Sequence, residues 1–120
     1  MGKNLLLKLE HYKCPSWNIL YAGRHWSVRA EMAEYAHQSV KEALQNVKWQ
    51  PYTEKVKIVV TAYLKRQIDP SNVCEKMIED GLKLCGVIKD DSPKYVESVT
   101  TKVIKSKRDY TEIEIYESSH

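Results

Sequence analysis

The sequence predicts an α/β fold, a mixed β-sheet with helices packed on it, in the order β-α-β-α-β-β. Three observations predict it. Short runs of β-branched and aromatic residues alternate with two longer segments of helical periodicity. One of these runs, around Ile58-Val59-Val60, is continuously apolar, as a central strand covered by helices must be. The last quarter of the chain carries two strand-like runs with no helical segment between them.

Taken in order, residues Leu5 to Glu10 read as a first strand, which Cys14-Pro15-Ser16-Trp17-Asn18 ends with a proline and turn formers. A loop rich in aromatic and basic groups follows. From Ser27 to Val47 the apolar residues Val28, Met32, Ala36, Val40, Ala43, Leu44 and Val47 recur at helical spacing, with Ser27 placed to cap. Pro51 closes that connection, and Lys55 to Leu64 reads as the central strand. A second helix is expected from Asn72 to Gly86, with the glycine just past its end. Its apolar face is Val73, Met77, Ile78, Leu82 and Cys85, and its polar stripe is Asn72, Lys76, Asp80 and Lys83. Tyr95 to Ile104 and Tyr110 to Tyr116 read as two strands of a β-hairpin joined by Lys105 to Asp109.

Composition bounds the function. A chain of 120 residues fits a single domain, residues 1–120, large enough to bury a core without a disulfide or zinc staple. The three cysteines, Cys14, Cys74 and Cys85, contain no CxxC pair, and free thiols in a reducing compartment are the simplest reading. Leu5-Leu6-Leu7 is the longest apolar run near the N-terminus, far short of a signal segment or membrane span, so a soluble cytoplasmic protein is expected. The net charge of +3 is compatible with a polyanionic partner without requiring one. His11, His25, His37 and His120 show no metal-ligand spacing, which argues against a zinc or Cys/His nucleophile site.

The chemistry is concentrated at the ends of the second helix. Asp69-Pro70-Ser71-Asn72 precedes it, Lys76 and Asp80 lie one turn apart on it, and Asp90-Asp91-Ser92 follows it. Two carboxylate groups brought together beside a lysine suit metal-assisted chemistry on phosphates, because Mg²⁺ takes hard oxygen ligands and a phosphate oxygen completes its shell. Plainer readings exist for each residue. Asp69 before Pro70 also fits an N-cap with proline at N1, Lys76 with Asp80 fits an exposed ion pair, and Asp90 to Pro93 fits a polar turn.

These residues resemble the RusA-type Holliday junction resolvases, above all their phage-encoded relatives. The resemblance rests on Asp69-x-Ser71-Asn72, Lys76, Asp80-Gly81-Leu82, Gly86 and Asp90-Asp91-Ser92 before a terminal hairpin, together with Pro15-Ser16-x-Asn18 after the first strand. It covers most of the chain. It implies a homodimeric, Mg²⁺-dependent endonuclease that nicks opposed strands of a four-way DNA junction. Asp69, Asp91 and Asp90 become metal and catalytic carboxylates, Lys76 the basic group beside the scissile phosphate, and Ser71, Asn72 and Asp80 residues that shape the site. Ser71 stands where the family's pattern has its second Asp, which removes one formal charge from the ligand set; Glu75, Glu79 or Asp80 are placed to compensate. A descendant that binds branched DNA with weakened cleavage is therefore a second reading, and a protein-interaction module a third.

Two sets of basic residues are candidates for DNA backbone contacts: Arg24, His25 and Arg29 at the start of the first helix, and Lys102, Lys105, Lys107 and Arg108 around the last turn. A junction offers equivalent strands in pairs, so a twofold homodimer is the expected partner arrangement, formed through exposed apolar residues of the first helix or a sheet edge.

Overall fold

In the computed structural model, which describes residues 4–18 and 26–118, β2 is the strand on which the others are organised. The strands are β1 (Asn4–Leu9), β2 (Val56–Leu64), β3 (Val96–Lys105) and β4 (Tyr110–Glu117), and the helices are α1 (Trp26–Gln45) and α2 (Lys76–Leu84). A short 3₁₀ turn, Pro70–Asn72, precedes α2. The sheet order is β1-β4-β2-β3, with β3 parallel to β2 and β4 antiparallel to both β2 and β1.

Alternation assigns the two faces. Val56, Ile58, Val60, Ala62 and Leu64 of β2, Leu5, Leu7 and Leu9 of β1, and Ile113 and Ile115 of β4 are buried together with Ala36, Val40 and Leu44 of α1 and Ile78 and Leu82 of α2. Each fully buried Leu or Ile contributes about 1.5–3 kcal/mol. Both helices therefore cover one face. The other carries Leu6, Lys8, Tyr63, Tyr110, Glu112 and Ile104, with Tyr63 and Tyr110 stacked at 4.3 Å. The two helices meet closely at Gly81, where an added Cβ would sit 3.3 Å from Val40 Cγ2.

The last two strands are not a hairpin. They flank β2 on opposite sides, so β2 lies between them. Alternation along β3 and β4 tells which face each residue takes but not which strand it pairs with. Pairing with the apolar β2 on both sides satisfies its backbone and makes it central. The connector 106–109 crosses the end of β2, tied there by Ser106 N–H to Leu64 O at 2.8 Å and Lys65 N–H to Asp109 Oδ1 at 2.9 Å.

The second helix also starts later than its periodicity suggests. Val73 pairs with Ser16 in an isolated antiparallel bridge, and Cys74 N–H donates to Pro15 O at 2.9 Å. This pairing with the N-terminal loop holds residues 73 and 74 out of the helix. Asn72 is consequently not on the polar stripe, and Cys74 is buried ahead of α2 rather than within it. The helix end follows the expectation: Gly86 has φ +81°, and Gly86 N–H to Lys83 O (3.0 Å) with Val87 N–H to Leu82 O (2.9 Å) forms a Schellman motif. Among the described residues no helix is long and apolar enough to cross a membrane.

Candidate functional site

Asp69 caps the 3₁₀ turn, its Oδ1 accepting from Ser71 N–H at 3.3 Å, with Pro70 in the first position of the turn where no N–H is needed. The turn is anchored to the sheet by Thr101 Oγ1 donating to Pro70 O at 3.0 Å. Beyond the Val73 bridge, Lys76 opens α2, and the polypeptide returns past the Schellman glycine to present Asp90 and Asp91 beside that first turn.

The centre of the site is the Lys76 ammonium. It lies 2.6 Å from Asp91 Oδ2 and 3.2 Å from Asp80 Oδ1. Asp80 is one helical turn away in sequence, whereas Asp91 comes from the loop after α2. Paired this way, Lys76 is held well above the usual lysine range, chiefly by the hydrogen bond to Asp91, and that same bond holds Asp91 below the usual carboxylate range. Asp90 is turned aside. Its Oδ1 accepts from Asp91 N–H at 2.9 Å and lies 3.7 Å from Lys83 Nζ, so it orients the loop. This separates two adjacent aspartates that the sequence left equivalent.

Glu79 joins the cluster from the next turn of α2. Burial, then the like charge of Glu75, raise its carboxyl to about 7; Lys76 opposes this, while Asp91 and Asp80 add to it. The Glu75/Glu79 pair one turn apart was a usable signal in the sequence, but the burial of Glu79 is a tertiary effect.

Among the described residues no three His, Cys, Asp or Glu side chains converge as a metal cage. Two carboxylate oxygens do converge, since those of Asp80 and Asp91 each lie within 3.2 Å of one cationic nitrogen. Mg²⁺ is commonly held by one or two carboxylates, with water and substrate phosphate completing its shell. The Asp80/Asp91 pair has the donors for that mode of binding.

The basic residues are dispersed. Arg24 and His25 lie outside the described residues, and Arg29 is partly buried near the start of α1. The Arg108 guanidinium is committed to Glu10, with Nη1 to the backbone O at 2.8 Å and Nη2 to Oε1 at 2.6 Å, and lies over the Tyr110 ring. Lys102 alternates with Thr101, which points toward the 3₁₀ turn, so Lys102 projects from the opposite sheet face. Lys105 and Lys107 are exposed at the end of the sheet where β3 finishes. Cys14 and Cys74 are buried and Cys85 is partly buried; burial pushes all three thiols up, Cys14 to about 12. No protein-family model matches this chain, and no curated protein sequence matches it either.

Proposed function

We propose that this protein is a RusA-like, Mg²⁺-dependent endodeoxyribonuclease that resolves four-way DNA junctions by phosphodiester hydrolysis. The observation that carries the reading is the convergence of Asp91 and Asp80, from two segments, on Lys76. These residues belong to the sequence block on which the resemblance rests. Asp91 and Asp80 would hold Mg²⁺, which would supply Lewis-acid polarisation of a phosphate and an activated water. Asp91 and Asp80 supply anionic oxygens, and Asp90 fixes the Asp91 backbone through its bond to that N–H. Lys76 would supply positive charge to the phosphate. Asp69 and Ser71 set the approach of the 3₁₀ turn, with Asn72 N–H closing it on Asp69 O at 2.9 Å. A homodimer presents two such sites to the paired strands of the junction.

Ser71 favours a second reading, a branched-DNA-binding protein with weakened cleavage. Ser71 is exposed and adds no formal charge where the family's pattern has a carboxylate, and its N–H donates to the Asp69 cap. The test is incubation of the purified protein with a labelled four-way junction and a matched linear duplex, in Mg²⁺ or EDTA, with Asp91→Asn and Ser71→Asp variants alongside. Symmetric Mg²⁺-dependent nicks that vanish in Asp91→Asn support the nuclease. Cleavage gained only in Ser71→Asp supports the weakened binder. Indifference to both DNAs in every variant overturns both readings.

A further inference from the structure

We infer that a second subsite, a basic cleft bordering the segment that leads into Lys76, receives an unpaired nucleotide of the DNA strand at the branch point. The inference rests on the nucleic-acid reading above but concerns residues outside that cluster. The cleft, of about 460 Å³, is walled by Lys13, Lys65 and Arg66 and floored by Met32, Leu64 and Ile68. Its size falls within the range of about 300–1,000 Å³ typical of small-ligand sites.

Its position follows from the fold. Lys65 and Arg66 leave the end of β2, and Ile68 immediately precedes Asp69. On the far wall Ser16 is the residue that bridges Val73. The cleft thus borders the segment that leads into Lys76.

The charge balance selects an anion. Lys65 and Arg66 are exposed and form no ion pair among the described residues. The one carboxylate in the cleft, Asp109, is occupied by Lys65 N–H at 2.9 Å and Lys13 Nζ at 3.8 Å. Three cations against one engaged carboxylate leave a net positive wall. A bare phosphate has no use for the apolar floor. An unstacked base does: it places its flat face on Met32 and Ile68 while the adjoining phosphates meet Lys65 and Arg66, whose guanidinium can also stack on a base. Bases in an intact duplex are already stacked, so the site selects DNA that is open at a branch.

The test is fluorescence anisotropy in EDTA with a labelled single strand, a four-way junction and a linear duplex, comparing wild type with Lys65→Gln/Arg66→Gln. These side chains are exposed, and unchanged circular dichroism and Tm establish that the variant folds. The expected result is at least about tenfold weaker binding of the single strand and junction at about 100 mM salt, with a salt slope on the single strand shallower by about 1.4 for two lost phosphate contacts. Ile68→Ser weakens the same binding several-fold without changing the slope. Unchanged affinity in Lys65→Gln/Arg66→Gln, or an equal loss on the linear duplex, overturns the subsite. If wild type nicks junctions while that variant binds normally, the nuclease stands and the subsite falls. If nothing is nicked but single-strand binding depends on Lys65 and Arg66, the subsite stands and the nuclease falls.

Discussion

Replacing Glu79 by Gln removes a pH dependence of stability that the wild type must show. Burial and the neighbouring Glu75 raise the Glu79 carboxyl from 4.5 to about 7, so the folded state binds this proton more tightly than the unfolded state does. The sign follows from linkage: the protonated group's contribution is fully present below about pH 4.5 and is lost as pH rises through about 7. At about 1.4 kcal/mol per pH unit the ceiling is about 3 kcal/mol. Glu79 is only partly buried, and solvent screening reduces the expected loss to about 1–2 kcal/mol. Urea unfolding at intervals from about pH 4.5 to 8.5 measures it as a change in midpoint at constant m-value. Glu79→Gln keeps the shape and removes the titration, so the stability difference between variant and wild type must grow in the variant's favour across this window. Parallel curves for the two proteins would refute the argument that burial at this turn of α2 outweighs Lys76.

Other substitutions probe separate parts of the account. Lys76→Met costs about 1 kcal/mol or less, because its pairs are partly exposed, yet abolishes junction nicking; a variant that unfolds shows the pair to be structural instead. Tyr12→Phe is neutral or stabilising by up to about 1 kcal/mol in thermal unfolding, since the buried Tyr12 hydroxyl has no hydrogen-bond partner among the described residues. A loss above about 1 kcal/mol contradicts that. Gly86→Ala costs about 1–2 kcal/mol, because φ +81° disfavours any Cβ although nothing lies within 4 Å of the position it takes. An unchanged Tm rules out backbone strain as the reason for glycine there.

The fold was largely legible because faces are written locally. Leu5, Leu7 and Leu9 alternate, α1 repeats its apolar residues at helical spacing, and Gly86 marks a helix end; each signal depends on near neighbours in sequence. Partner choice is not local. Nothing along β3 or β4 announces that β2 intervenes, nor that Val73 pairs with Ser16 and delays α2. The site divides the same way. Lys76 and Asp80 are neighbours by helix geometry, and the separation of Asp91 from Asp90 appears only when the loop after Gly86 folds back. The capping chemistry read for Asp69 is present in this fold, through its Oδ1. Lys65 and Arg66 are inconspicuous in the sequence as a pair ending a strand, and only the fold brings Met32 of α1 to line one cleft with them.

The most direct test of the central claim is the initial rate of four-way junction nicking at saturating Mg²⁺ by wild type and Asp91→Asn, with EDTA as the blank. The account predicts paired, Mg²⁺-dependent nicks whose rate falls by about 10²-fold or more in the variant. An Asp91→Asn protein that nicks as fast as wild type contradicts it.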